Sequence, residues 1–574
     1  MSHELSLSIV GSGGDGAVAA GDILSLAAAR EGLSVIKTEA YGPQIRGGES
    51  SCTVRISATP IHAQADEVDA LVVFSWADFA RFRAEMALAP TAIVLYEEKD
   101  APPEDMKQYK LVPIAFSAHR AGKNIFALGL IASTFGLQPD AIRDCVRNRF
   151  KKKTEAVIEA NVTAFDAGLQ KGVELMLGAD QLEYVKSEPK LLMAGNEASA
   201  IGAIEAGCRF FAGYPITPSS EVLHLLGEWL PRVGGKCLQT EDELAAIGAV
   251  VGASFAGAKA MTATSGPGLS LMSEMLGLSS MAEVPSVIVN VQRGGPSTGI
   301  PTKSEQSDLW HALYGGHGDM PRVVLTCTDV ADSFHTTIDG FNIAEEFQVP
   351  VIVLSEQAIA QRRETIDANT LTHEVVERRL ATEEDRENYK RYLDTVDGVS
   401  PMSVPGMKGG EYQTNGLEHD ELGRPSSMFT THMQMNAKRY RKLDAIAKKY
   451  PLFTRFGPEN PDLGILCWGG SVGVVREAVD RMTARGIRVA AFAPRILMPL
   501  PAAEIQKFVD ASKQLLVLEL TFAAQFYKYL RAEIDLPKAT TSVFARSGGK
   551  NLTVTEVMEE AQRVLAGKKE EVLA

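Results

Sequence analysis

FFAGYPITPSSE at residues 210–221 and QTEDELAAIGAVVGASFAGAKAMTATSGPG at 239–268 decide how the chain is read. They sit in a sequence where strand signals alternate with helical patterns nearly throughout, the mark of an α/β fold. After them come an apolar run at 284–291 and a further strand pattern at 351–355, behind Pro350. Working backward, the front of the chain shows a strand at 5–10, a Gly-rich turn, a helix over 17–31 and strands at 34–38, 70–75 and 92–96. Working forward, a last α/β unit opens with GILCWGG, then a helix at 472–484 and strands at 489–492 and 515–520. Residues 365–455 are rich in charge, Met, Gly and Pro with little apolar periodicity, and read as a long connector wrapping over the surface. The expected division is a Rossmann-like domain at 1–188, a second α/β domain at 189–365, the connector at 366–458 and a third α/β domain at 459–574.

The 574 residues carry a net charge of −14, with 45% apolar and 23% charged residues, the balance of an ordinary soluble protein. That charge disfavours nucleic acid and anionic membrane surfaces. No run of about 18 apolar residues exists, and the start has no basic n-region, so neither a membrane span nor a signal peptide is expected. The six cysteines are scattered without a C-x-x-C pair, which predicts no disulfide framework, zinc site or iron–sulfur cradle, and a reduced cytoplasmic chain.

Gly11, Gly13 and Gly16 fit G-x-G-x-x-G between a strand and a helix, and Glu39 ends the next strand. This pattern is compatible with an NAD- or flavin-dependent dehydrogenase, with a bare tight turn, or with a phosphate or CoA clamp. The second Gly-rich segment, EAYGPQIRGGES with Arg46 and Gly47, favours a clamp or interface loop over an NAD fold. The GDG at 14–16 lacks the downstream Asn that a thiamine diphosphate metal site needs, since the first Asn is Asn124.

Thr217 lies between Pro215 and Pro218, which stiffen its loop, so its hydroxyl can donate to a substrate oxygen at little entropic cost. Ser219 or Ser220 can alternatively cap a helix starting at Glu221. Glu243 leads a run of small residues, Ala245, Ala246, Gly248, Ala249, Gly252 and Ala253, which allow close approach of a helix or a flat ring. Arg293 follows an apolar strand and opens GGPSTG, the place where open α/β sheets bind ligands, and its guanidinium can grip a carboxylate at two points. Ser265 and Gly266, in SGPG, let backbone approach a cofactor or simply form a turn.

Together GYPITPSSE, EDELAAIGAVVGAS, TATSGPGLSLMSE and VNVQRGGPSTG resemble the motif set of 2-oxoacid:ferredoxin oxidoreductases. GSGGDG with YGPQIRGG resembles the family's gamma-type domain, and the last unit resembles its transketolase C-terminal-type domain. The fused order and GLEHDELG at 416–423 resemble the 2-oxoglutarate-type alpha subunits. The resemblance implies a thiamine diphosphate pyrimidine-binding domain in the middle of the chain. Glu243 would pair with the aminopyrimidine ring, Tyr214, Pro215, Ser265 and Gly266 would contact the cofactor, and Thr217 and Arg293 would hold the oxoacid. Lys303 would meet a distal carboxylate, and Gly13, Arg46 and Gly47 would help hold CoA. It further implies a beta subunit carrying Mg²⁺ with the diphosphate and a [4Fe–4S] cluster, ferredoxin as electron partner, and a dimer of heterodimers. The reaction implied is oxidative decarboxylation of a 2-oxoacid, with 2-oxoglutarate preferred over pyruvate, branched-chain oxoacids or indolepyruvate, to acyl-CoA or the reverse. A non-catalytic scaffold subunit is the remaining alternative.

Overall fold

The computed structural model describes residues 3–42, 48–119 and 122–567. It has two compact units. One comprises Met1–Ala194 with Gln361–Thr370 and Thr553–Thr555, and the other comprises Gly195–Ala360, Leu371–Leu552 and Glu556–Ala574. Three sheets carry the α/β architecture.

The first unit holds an eight-stranded sheet in the order Lys110–Ile114, Leu88–Glu97, Val68–Val73, Glu4–Ser12, Glu49–Ser57, Ser34–Tyr41, Arg363–Ile366 and Leu191–Ala194. The strand Glu49–Ser57 was not expected. It lies antiparallel to Glu4–Ser12 on one side and to Ser34–Tyr41 on the other. Its alternating ESSCTVRIS follows directly on a glycine-rich segment, which masks the strand signal.

That insertion removes the basis for a dinucleotide reading. In a dinucleotide fold the acid that holds the ribose ends the strand beside the first one. Here Glu39 stands two strands away from Glu4–Ser12 and is already bound to Lys37 and the Tyr41 hydroxyl. The NAD or flavin alternative is therefore corrected: the glycines make a strand–helix turn without its acid partner.

The second unit contains the other two sheets. The seven-stranded sheet runs Ile496–Met498, Val323–Thr326, Pro350–Glu356, Ser286–Gln292, Ala260–Thr264, Phe210–Gly213 and Lys236–Gln239. All its neighbours are parallel except the edge pair Val323–Thr326 with Ile496–Met498. Ser286–Gln292 is buried along its whole length, as a central parallel strand covered on both faces must be. The five-stranded sheet, Phe453–Phe456, Val489–Pro494, Leu463–Leu466, Gln514–Glu519 and Thr541–Ala545, is parallel apart from its antiparallel first strand.

The expected surface connector also needs correction. Residues 429–449 form a 21-residue helix, Phe429–Lys449, whose buried positions are Met435, Lys438, Arg439, Lys442 and Ile446. Upstream of it Arg378, Arg391, Tyr392, Met402 and His419 are buried as well. Three of the helix's five buried residues are cations, which is why no apolar period announced it. The spacing 435, 438, 439, 442, 446 is nevertheless helical.

Candidate functional site

Three strand ends of the seven-stranded sheet build the site. Phe210–Gly213 runs into YPITPSS, where the Thr217–Pro218 and, elsewhere, the Gly295–Pro296 peptide bonds are cis. Buried Asn196 fastens the loop, its Nδ2 donating to Pro218 O and Glu221 Oε2, each at 2.8 Å. The following helix is Ser220–Trp229. Ser219 stands at its N-cap position but makes no side-chain cap, since its hydroxyl donates to Ile216 O at 3.0 Å. The capping role considered for it is thus not the one it plays. Thr217 and Tyr214 are exposed, so the Thr217 hydroxyl is open to a ligand.

Glu243 is the first residue of the helix Glu243–Phe255, and Asp242 caps that helix by accepting from Ala245 N at 2.8 Å. Glu243 itself is only 6% exposed. Its carboxylate lies against the SGPG turn that joins Ala260–Thr264 to the helix Gly266–Met281. A Cβ on Gly268 would come within 2.7 Å of Glu243 Oε1 and 2.0 Å of Thr264 Oγ1. Glycine is required there for the carboxylate to sit at the start of a helix, where the dipole favours an anion. On the other side of that helix from Glu243, Gly248 and Gly252 face open space.

Arg293 follows Ser286–Gln292 and is buried. Its Nη1 donates to Thr217 O at 2.5 Å, while its Nε is buried with no hydrogen-bond partner. Burial pulls the guanidinium below its ordinary value, with Asp308 opposing. Arg293 lines a cavity of about 660 Å³ together with Gly266, Ser270, Asp308, His311 and Phe522.

The sequence reading missed Asp308. Its carboxylate presses on the same turn from the other side, since a Cβ on Gly266 would meet Asp308 Oδ1 at 2.7 Å and Oδ2 at 2.9 Å. Asn290 Nδ2 donates to Asp308 Oδ2 at 2.9 Å. Burial pushes this carboxyl up, against the hydrogen bond from Asn290 and the charges of His311 and Arg293. The only sequence signal was an acid placed 15 residues beyond Arg293, which is too generic to single out.

The structure thus brings Thr217, Glu243, Gly266, Arg293 and Asp308 around one turn. Lys303 does not line the cavity. Its carbonyl accepts from Gly294 N at 2.9 Å, and its side chain packs beside Gly549. In the first unit Gly13 N is occupied by Gly48 O at 2.8 Å, and Arg46 and Gly47 lie outside the described residues. The Gly-rich turn there is filled by its own side chains. Asp15 accepts from Ser12 N and pairs with Lys123, and Asn124 Nδ2 donates to Gly16 O.

The donor set fits the pyrimidine half of thiamine diphosphate. A buried carboxylate stands at a helix start against the SGPG turn, and Ser265 Oγ and Asn290 Oδ1 are buried without partners. Among the described residues no group of three or more His, Cys, Asp or Glu side chains could hold a metal ion. Among them also, no helix is long and apolar enough to cross a membrane.

Residues 201–438 match the family described as pyruvate flavodoxin/ferredoxin oxidoreductase, thiamine diphosphate-binding. Residues 6–171 match pyruvate ferredoxin/flavodoxin oxidoreductase, and 461–557 match the core domain II of pyruvate:ferredoxin oxidoreductase. The 2-oxoglutarate synthase subunit KorA of Methanothermobacter thermautotrophicus is 38% identical over 353 residues, 60% of this chain and 92% of the relative. The alpha subunit of 2-oxoacid:ferredoxin oxidoreductase 1 from Aeropyrum pernix is 30% identical over 93% of both chains. Among solved structures, the 2-oxoglutarate:ferredoxin oxidoreductase from Magnetococcus marinus, with 2-oxoglutarate, coenzyme A and succinyl-CoA bound, superposes with a TM-score of 0.93. It is 37% identical, over 98% of this chain and all of that one. With its site geometry and these likenesses, the chain belongs to the 2-oxoacid:ferredoxin oxidoreductases, as an alpha subunit with a fused gamma-type domain.

Proposed function

We propose that this alpha subunit, with a beta-type partner, oxidatively decarboxylates 2-oxoglutarate to its acyl-CoA, or runs the reverse reaction, with ferredoxin as the electron partner. The observation that carries the reading is the convergence of Glu243, Thr217 and buried Arg293 around the SGPG turn. The likeness to a 2-oxoglutarate-binding structure over nearly the whole chain supports the choice of substrate.

Bound thiamine diphosphate would supply the electron sink for decarboxylation. Glu243 would hydrogen-bond the aminopyrimidine ring nitrogen, share a proton with it and so favour the imino tautomer of the ring. Tyr214, Pro215, Ser265 and Gly266 would frame it. Arg293 Nε, now without a partner, would grip the oxoacid carboxylate, and the Thr217 hydroxyl would donate to an oxygen of the same substrate. Mg²⁺ and a [4Fe–4S] cluster would come with the beta subunit, and Arg46 and Gly47 would help hold CoA, Gly13 being taken up by its own turn.

The test co-expresses this chain with its beta-type subunit and measures viologen reduction with CoA and either 2-oxoglutarate or pyruvate. The expected result is activity that needs both chains, prefers 2-oxoglutarate, and falls at least about 100-fold in Arg293→Ala. A complex that holds thiamine diphosphate and cluster yet prefers pyruvate would reject the substrate assignment. One inactive with every 2-oxoacid would reject the reaction.

A further inference from the structure

We propose that Asp308 takes up a proton when the 2-oxoacid enters the Arg293 cavity, and meets the substrate as a neutral acid. This rests on the oxoacid reading of that cavity.

Asp308 stands at the N-cap position of the short helix Leu309–Tyr314, where an aspartate usually caps with its side chain. It makes no such bond. Its backbone N–H goes instead to Gln292 Oε1 at 3.1 Å, and its carboxylate is turned onto Gly266 in the cavity wall. One carboxylate oxygen receives Asn290 Nδ2, while Asn290 Oδ1 is buried and finds no donor. A proton on Asp308 supplies that missing donor, because an acid and an amide pair through two hydrogen bonds.

The charges facing Asp308 point the same way. Glu305 shares the cavity wall, its Oε1 accepting from Gly548 N at 2.7 Å, and Glu243 lies across the SGPG turn. Arg293 is the guanidinium of that wall and His311 its imidazole. Two wall carboxylates facing one guanidinium leave an unfavourable place for an arriving carboxylate. Protonating Asp308 removes that repulsion, with the new O–H given to Asn290 Oδ1. Burial already pushes the Asp308 carboxyl up, ahead of the opposing Asn290, His311 and Arg293 contributions. The proton comes from solvent on binding and returns to it on product release, so no bond of the substrate is altered.

The test uses the assembled complex and N-oxalylglycine, an unreactive dicarboxylate analogue of 2-oxoglutarate. Binding heats in two buffers of different protonation enthalpy at one pH count the protons taken up. The wild type should take up close to one proton and Asp308→Asn none, while Asp308→Glu restores the uptake. In parallel, kcat/KM of the wild type should fall about tenfold per pH unit above the Asp308 transition, and Asp308→Asn should lose that fall. No uptake in the wild type, equal uptake in wild type and Asp308→Asn, or identical pH profiles would overturn the proposal. If the complex turns over pyruvate and not 2-oxoglutarate, the substrate assignment falls separately. The same count made with oxamate then decides the role of Asp308.

Discussion

The helix Gly266–Met281 meets a buried glutamate at each end, and the two ends are built oppositely. At its C-terminal end Glu283 is 1% exposed and sits at φ 52, in the left-handed region. Lys438 Nζ donates to both of its oxygens at 2.7 Å, and Lys442 Nζ lies 2.6 Å from Oε2. Arg391 Nη2 donates to the Glu283 carbonyl at 2.6 Å and reaches Ala282 O at 3.4 Å, placing cations at the negative end of the helix dipole. Burial alone would push Glu283 up, but Lys438, Lys442 and Arg391 overcome it and hold the carboxyl well below the usual range. At the N-terminal end Glu243 is nearly as buried, yet no ion pair compensates it among the described residues. A buried charge surrounded by partners is committed to holding the chain together. One left against a glycine turn with no ion pair is available to a ligand.

The comparison breaks first at Glu243. Glu243→Gln keeps shape and volume and replaces the ionisable carboxyl with a neutral amide. Activity of the complex should fall about 100- to 10,000-fold, with the melting temperature held. A loss of stability in place of activity would make Glu243 another Glu283. The converse is Glu283→Gln. It strands two buried lysines and should cost about 3–5 kcal/mol in denaturant unfolding, with turnover per folded molecule preserved. Unchanged stability would show that the cations do not depend on that carboxylate. Gly268→Ala comes next, because its methyl has no room beside Glu243 and Thr264. A fall of about tenfold or more in activity, with about 1–3 kcal/mol of destabilisation from the overpacked turn, is expected. Wild-type kinetics in that variant would mean the turn relaxes freely.

How much was legible divides along the same helix. The N-terminal end was readable because its chemistry is local. GYPITPSSE, the acid heading a run of small residues, SGPG and the Arg after an apolar strand each announce themselves within a dozen residues. Asn196 and Asp308 were not readable, since each acts on a segment remote in sequence and its type is common in turns. The C-terminal end was opaque for a different reason. The buried face of Phe429–Lys449 is Met435, Lys438, Arg439, Lys442 and Ile446, so a search for apolar periodicity sees a charged, solvated stretch. Lysines mark a buried face only once Glu283 is known to sit opposite them, and it lies 155 residues away from Lys438 in sequence. In the first unit, the strand Glu49–Ser57 alternates correctly but begins where glycine signals end, and its pairing partners decide it.

The smallest effect concerns the pH dependence of the lysine cluster. Burial pulls Lys442 from its ordinary 10.5 down to about 7, with Glu283 opposing and Lys438 assisting, and Lys438 is also lowered. The sign follows from linkage. Between about 7 and 10.5 the unfolded chain binds a proton at Lys442 that the folded chain does not. Stability from this group therefore rises with pH across that window, by at most about 1.4 kcal/mol per unit, and is flat below it. Glu283, whose pKa is depressed, contributes the opposite acid-side limit: its stabilisation is present above the ordinary carboxylate value and is lost as pH falls through the folded one. Denaturant midpoints of wild type and Lys442→Met at pH 7, 8 and 9 separate the two groups. The wild type should gain stability with pH relative to the variant, whose methionine keeps the stem's packing without the charge. Parallel slopes would mean that Lys442 keeps its proton throughout, held by Glu283 more tightly than burial opposes it.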